Sequence, residues 1–210
     1  MEPLRIEFSL SSPMTEAPYP IHLDALAAWA AVEEAKAQGD PEPLLAQENL
    51  PFAREAGVWC ASALQLERVE APFTVAHTKR TDPLKFSDAL YNGPLGRAPN
   101  KLDLTRGPWR QALYFSQCQQ VSKATAWCIA DRERLEELLS RIDYLGARRR
   151  IGRGRITALE IVEDPSATER WRERLLAEPA DGFIPLHGVS SPPYWDRRRA
   201  ATVWAHPNIV

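Results

Sequence analysis

The sequence is poor in cysteine, methionine, histidine and glycine, with 3, 2, 4 and 10 of them among 210 residues. The cysteines, Cys60, Cys118 and Cys128, are odd in number and lack CxxC spacing. Neither a disulfide framework nor a zinc ribbon is therefore indicated. They read as reduced core residues of a cytosolic protein. The N-terminus "MEPLRIEFSL" has no basic region leading into an apolar stretch, so it does not read as a signal peptide. No apolar run is long enough to cross a bilayer, so no membrane role is expected. Charge of one sign is also lacking: 26 basic residues face 28 acidic ones, for a net charge of −2. The whole surface is therefore not a polycation, and affinity for nucleic acid must come from a local patch. Asp88, Asp103 and Asp131 are scattered, and no carboxylate cluster suggests a two-metal nuclease. Neither a metal site nor a cofactor is expected.

What is present is an ordinary globular composition, 44% hydrophobic and 26% charged, enough to bury a core. "LRIEFSLS" alternates, with Leu4, Ile6, Phe8 and Leu10 on one face, and reads as a half-buried strand. "HLDALAAWAAVEEAKAQ" reads as a helix closed by Gly39 and Pro41. "GVWCASALQLE" and "PFTVAH" read as strands. "WRQALYFSQC" and "VSKATAWCIA" are expected to pair as a hairpin across Gln119 and Gln120. Asp131 is placed to cap a helix over "DRERLEELLSRIDYL", with Gly146 at its C′ position. "RITALEIVE" is a strand, and Ser166 with Glu169 form a capping box for a last helix, "ATERWRERLLAE". The remaining tail reads as loop with at most one short strand. This order, without its middle, is compatible with an α+β, ferredoxin-like (RRM-like) βαββαβ unit.

Although glycine is scarce, three of the ten fall in "YLGARRRIGRGRI", Tyr144 to Ile156, together with five arginines. Glycine permits positive φ and close approach of a ligand. Successive backbone N–H groups in such a loop can form an anion nest. Arg148, Arg149, Arg150, Arg153 and Arg155 add forked donors that match phosphate. There is no GK[ST] ending, and the segment leads into a strand, so it is neither a Walker loop nor a dinucleotide fingerprint. Two readings remain open on spacing alone: a phosphodiester-binding loop, or a helix cap with a solvated basic turn near the negative end of the helix dipole.

A glycine-rich basic loop between the last helix and last strand of such a unit resembles the RAMP superfamily of CRISPR-associated proteins. More narrowly, the chain resembles the small Cas-five-like subunit of type IV effector complexes. The resemblance rests on "LRIEFSLSSPM", on "HLDALAAWAA" from His22 to Ala31, on "LSRIDYLGARRRIGRGRI" and on "PPYW" from Pro192 to Trp195. It implies a RAMP domain over 1–165 with a β-rich thumb inserted at about 67–116, and a C-terminal helix and tail over 166–210. It implies a non-catalytic, cytoplasmic subunit of an antiviral ribonucleoprotein that caps the crRNA 5′ handle. The implied partners are a Cas-seven-like backbone subunit, a large subunit, and also target DNA and a helicase.

The RNA contacts so implied are Gly146, Arg148, Arg149, Arg150, Gly152, Arg153 and Gly154 of the loop. The insertion adds His77, Lys79 and Arg80, with Lys101, Arg106 and Arg110 in its loop. A sister group in the superfamily cuts repeat RNA with a histidine base. His22 is the fallback candidate for that chemistry, and its alternative role is to pack or cap at the helix start. Asp24 either pairs with an arginine or serves the helix start, the latter being expected. Trp29, Trp59, Trp109 and Trp127 are assigned to the core. Tyr194 and Trp195 are expected to pack the tail onto the domain, with base stacking as the alternative.

Overall fold

The computed structural model describes residues 1–15, 19–80, 82, 84, 87, 88, 91, 103–106 and 110–209. In chain order the elements are β1 (Glu2–Leu10), β2 (Met14–Thr15), α1 (Leu23–Ala37), β3 (Arg54–Glu55), β4 (Val58–Trp59), β5 (Gln65–Arg68), β6 (Phe73–Lys79) and β7 (Ala112–Gln119). They continue with β8 (Val121–Ala130), α2 (Arg132–Leu139), β9 (Ile156–Glu163), α3 (Ala167–Arg170), β10 (Leu175–Leu176), β11 (Ile184–Gly188) and β12 (Ala201–Ala205). This is a mixed α+β chain with antiparallel sheets. It divides into two compact units, Met1–Ala71 with Gln119–Val210, and Pro72–Cys118.

The first unit is built on β1. Alternation puts Leu4, Ile6 and Phe8 inside with no exposure, while Arg5, Glu7 and Ser9 occupy the other face. Each of the three buried side chains contributes about 2 kcal/mol by leaving water. β1 pairs antiparallel with β8 on one edge and with β9 on the other, and β5 pairs with the far edge of β8. The sheet order is β5–β8–β1–β9. Both helices pack into the same core, α1 through Leu23, Ala27, Ala30 and Ala31, and α2 through Leu135, Leu138 and Leu139. The small alanines let α1 lie close to its neighbours. Glu34 of α1 ties the two helices together by accepting from Arg134 and from Arg141, the latter at 2.8 Å. The hydrogen bond from Arg134 is the main reason that its carboxyl titrates below the usual range.

Several expected elements differ. The strand expected over "GVWCASALQLE" breaks into β4 and β5, because residues 60–64 change partners one after another. Cys60 N–H donates to Ala53 O, Ser62 N–H to Trp127 O, Ala63 N–H to Glu173 O and Leu64 N–H to Ile21 O. No ladder persists across such a run. The β7–β8 hairpin does not form either. Both edges of β8 are taken by β1 and β5, and β7 pairs with β6 instead, in the register His77 opposite Tyr114.

The α2 helix ends at Leu139, with its N-terminus capped by Asp131 accepting from Arg134 N–H at 3.2 Å. Gly146 therefore lies beyond the helix and is not its C′ residue. The last helix, α3, has one turn. Ser166 does not cap it; Asp164 accepts from Ser166 N–H at 3.0 Å and from Ser166 Oγ at 2.7 Å. The helix stops because the next residues turn inward to bury Trp171 and Arg174. The tail is not loop: β10, β12 and β11 form a three-stranded sheet in that order, with Val203 and Ala205 buried. The second unit contains the β6–β7 ladder.

Candidate nucleic-acid interface

The arginine loop is closed by a neck. Tyr144 and Arg155 face each other in an isolated antiparallel bridge, and Leu145 N–H donates to Gly154 O at 2.8 Å. Ser12, just after β1, holds the far side: its Oγ donates to Gly152 O and accepts from Arg155 N–H, both at 2.8 Å. Gly154 has φ +69°, and a Cβ there would lie 2.0 Å from Leu145 O. Gly146 has φ +80°, and a Cβ there would meet Met14 Cγ at 2.6 Å. These two glycines let the neck close. Gly152 (φ +78°) has open space around it, so only its backbone conformation demands glycine.

The expected nest of N–H groups does not use these glycines. Gly152 N–H donates to Arg149 O at 2.9 Å, and Gly154 N–H to Pro13 O at 3.0 Å. One amide closes the loop on itself and the other ties it to the segment after β1, so the loop presents side chains outward. Arg148, Arg149 and Arg150 are exposed and consecutive, and Arg153 is half-buried. Arg148 is itself left-handed, at φ +59°. The guanidinium of Arg149 lies 4.8 Å from the ring centroid of Trp29 on α1. Trp29 is thus half-exposed beneath an arginine rather than in the core as expected. Trp127 is buried, with Arg170 over its ring at 3.3 Å, and Trp109 lies outside the described residues.

The other expected contacts belong to the second unit. His77 is half-buried and stacked on Tyr114, with ring centroids 5.0 Å apart. Lys79, Arg80, Arg106 and Arg110 are exposed, and Lys101 lies outside the described residues. Asp103 organises its own turn by accepting from Thr105 N–H at 2.8 Å.

A buried polar cluster in the first unit was only partly legible in the sequence. Asp24 and Arg174 are wholly buried, and Arg174 Nη2 lies 3.0 Å from Asp24 Oδ2. The Tyr194 hydroxyl donates to Asp24 Oδ1 at 2.9 Å. The same guanidinium donates to Ala61 O at 2.8 Å, to Ser190 O at 2.6 Å, to Leu175 O at 3.1 Å and to Trp59 O. Asp24, expected to serve the helix start, instead anchors one arginine that staples the strand segment after β4 to the C-terminal tail. Removing either partner alone would leave the other buried without its counter-charge.

His22 packs beside this cluster. It is 2% exposed and stacked on Tyr194, with ring centroids 4.9 Å apart and an interplanar angle of 3°. It does not cap α1 through its side chain, and neither ring nitrogen has a hydrogen-bond partner among the described residues. Burial holds its pKa well below the ordinary 6.5, and the Arg174 charge acts in the same direction. The folded state therefore keeps His22 neutral while the unfolded chain takes up a proton as pH falls below about 6.5. Stability is complete above that pH and is lost below it, by up to about 1.4 kcal/mol per pH unit until the folded histidine titrates. His22→Gln should flatten urea-unfolding stability between roughly pH 6.5 and 5; an unchanged slope would assign the dependence to another group.

Trp195 does not pack the tail down as expected: it is 68% exposed. The three cysteines are free and buried, and burial pushes the Cys60 thiol up to about 11. Among the described residues no group of His, Cys, Asp and Glu could hold a metal ion, and no helix is long and apolar enough to cross a membrane.

No match is found among curated proteins. One similar solved structure is a chain of the "Cryo-EM structure of the Type III-B Cmr-beta bound to cognate target RNA", with 9% identity and a TM-score of 0.38. The alignment covers 77% of this chain and 61% of that one, so this chain spans less than two thirds of its length. The family model for the CRISPR type IV associated protein Csf3 matches residues 2–206, and the protein belongs to that family.

Proposed function

We propose that the protein is a non-catalytic RNA-binding subunit of a type IV CRISPR ribonucleoprotein, cytoplasmic, which holds the crRNA 5′ handle and contacts the Cas-seven-like backbone and large subunits. Target DNA and a helicase would be further partners of the assembled particle. The observation that carries this reading is the pinched loop with Arg148, Arg149 and Arg150 exposed in succession. Three guanidinium groups on a fixed turn suit successive phosphates better than a single small anion. In this reading Gly146, Gly152 and Gly154 shape the loop, and Arg153 adds charge at its base. The sheet order β5–β8–β1–β9, with α1 and α2 as crossovers, supports reading 1–165 as the ferredoxin-like RAMP domain. The unit Pro72–Cys118 takes the role of the thumb, where His77, Lys79 and Arg80 would meet RNA. The segment 166–210 then completes the same domain.

The alternative is a metal-independent crRNA-processing endoribonuclease with His22 as base. It is weaker, because a buried histidine held neutral by a depressed pKa is a poor proton acceptor. Incubation with repeat RNA in chelator separates the two: a defined fragment lost in His22→Ala would establish the nuclease.

The loop reading is tested by handle-RNA binding across a salt series. Arg149→Ala and Arg150→Ala should each weaken binding and lower the salt slope by about one unit. Wild-type affinity and slope in both variants would leave the segment a basic turn without a ligand.

A further inference from the structure

The first unit also holds a cleft of about 1460 Å³, lined by the α1 entry, β5 and the C-terminal sheet. It exceeds the roughly 300–1,000 Å³ of a small-molecule pocket, leaving room for a ligand with attached chain. Its wall combines three features. First, among the described residues it carries Arg68, Arg170 and Arg197 and no carboxylate. Arg170 is engaged by Glu173 at 2.8 Å, whereas Arg68 and Arg197 are exposed and form no ion pair among the described residues. Second, Trp195 and Tyr19 stand on this wall 68% and 72% exposed, so their ring faces are open to stacking. Third, His22 lines the cleft while buried, with both nitrogens unpartnered among the described residues. A buried polar group without a partner is costly, and a ligand that supplies the partner relieves that cost.

We propose that this cleft binds one nucleotide, its base stacked on Trp195 with an edge hydrogen-bonded to His22, and its phosphate held by Arg68 and Arg197. A neutral imidazole offers one donor and one acceptor, which complements the mixed edge of a nucleobase. An apolar peptide would leave the two arginines and the histidine unused. The cleft adjoins the arginine loop through Met14, which lines the cleft and packs against Gly146. The nucleotide is therefore either free or part of a strand that also meets the loop. Only the second source rests on the RNA reading given above.

The full-length protein is titrated with the four nucleoside 5′-monophosphates, with a single-stranded RNA 12-mer, and with inorganic phosphate as control. Ring signals of His22 are followed by NMR, and affinity by tryptophan fluorescence. Either a monophosphate or the RNA should move the His22 signals, and inorganic phosphate should not. Response to monophosphates identifies a free nucleotide; response to the 12-mer alone identifies a nucleotide within a strand. Trp195→Ala, an exposed site expected to melt as wild type, should weaken that binding roughly tenfold, as loss of one base stack does. Arg68→Ala should weaken it further at low salt. If neither ligand moves the His22 signals, or if both variants keep wild-type affinity for both ligands, the cleft is not a nucleotide site. Loss of RNA binding in Arg149→Ala with the monophosphate response of His22 retained would support both sites. Wild-type RNA binding in Arg149→Ala and Arg150→Ala with weakened binding in Trp195→Ala would sink the loop alone.

Discussion

Arg174→Met should destabilise the free protein by about 3–5 kcal/mol, the loss typical of removing one partner of a buried ion pair. Asp24 would stay wholly buried with only neutral donors, the Tyr194 hydroxyl and the Ala25 N–H, and the carbonyls of Ala61, Leu175 and Ser190 would each lose a donor. Lysine should rescue little, because one ammonium cannot span acceptors arranged for a planar fork. Joint replacement of Asp24 and Arg174 by Leu and Met should recover part of the loss, since no charge then remains buried. Thermal unfolding at one pH and salt concentration decides the matter. For a chain of this size the single variant should melt lower by roughly 10 °C; a shift below about 2 °C would show that the pair is not buried as described.

Gly154→Ala is expected to be the most damaging small change in the arginine loop. An L-residue at φ +69° costs about 1–2 kcal/mol. Its Cβ would also sit 2.0 Å from Leu145 O, inside contact distance, so the neck must open and the Leu145-to-Gly154 hydrogen bond must break. Gly152→Ala, with nothing within 4 Å of the added atom, should lose only the conformational part. The comparison is made by thermal unfolding and by handle-RNA binding. Gly154→Ala should lower both markedly and Gly152→Ala should lower both slightly. Equal effects would mean that the neck does not organise the loop.

Much of the scaffold was legible because its signals are local. The alternation of Leu4, Ile6, Phe8 and Leu10 marks β1, and Asp131 before "RERLEELL" marks the start of α2. The arginine loop stood out because glycine is rare elsewhere and clusters there. What failed depends on partners far along the chain. Whether β7 joins β8 is decided by β1 and β5 occupying both edges of β8, which no window around Gln120 contains. Ser166 and Glu169 had the spacing of a capping box, but Asp164, two residues earlier, is the better acceptor. Ser12 and Gly152 are 140 residues apart, so the brace on the loop had no sequence signal. The ion pair of Asp24 was half visible: a carboxylate in a first helical turn invites the end-of-helix reading, and nothing nearby shows that its arginine comes from the tail. Two aromatic rings after two prolines suggest that both pack the tail onto the domain, whereas only Tyr194 turns in toward Arg174 and the Trp195 ring stays outside.

The 150 residues that separate Asp24 from Arg174, and the 170 that separate it from Tyr194, have a consequence for biosynthesis. Asp24 leaves the ribosome without the cation that neutralises it in the native fold. At about 5–20 residues per second, Arg174 follows roughly 8–30 s later. Until then the start of α1 carries a charge that disfavours burial, so closing the core around that point is costly for the nascent first half of the chain. Completion of the fold is thereby tied to translation of the tail, and a chain truncated before Arg174 should be cut by protease around α1 more readily than the full chain.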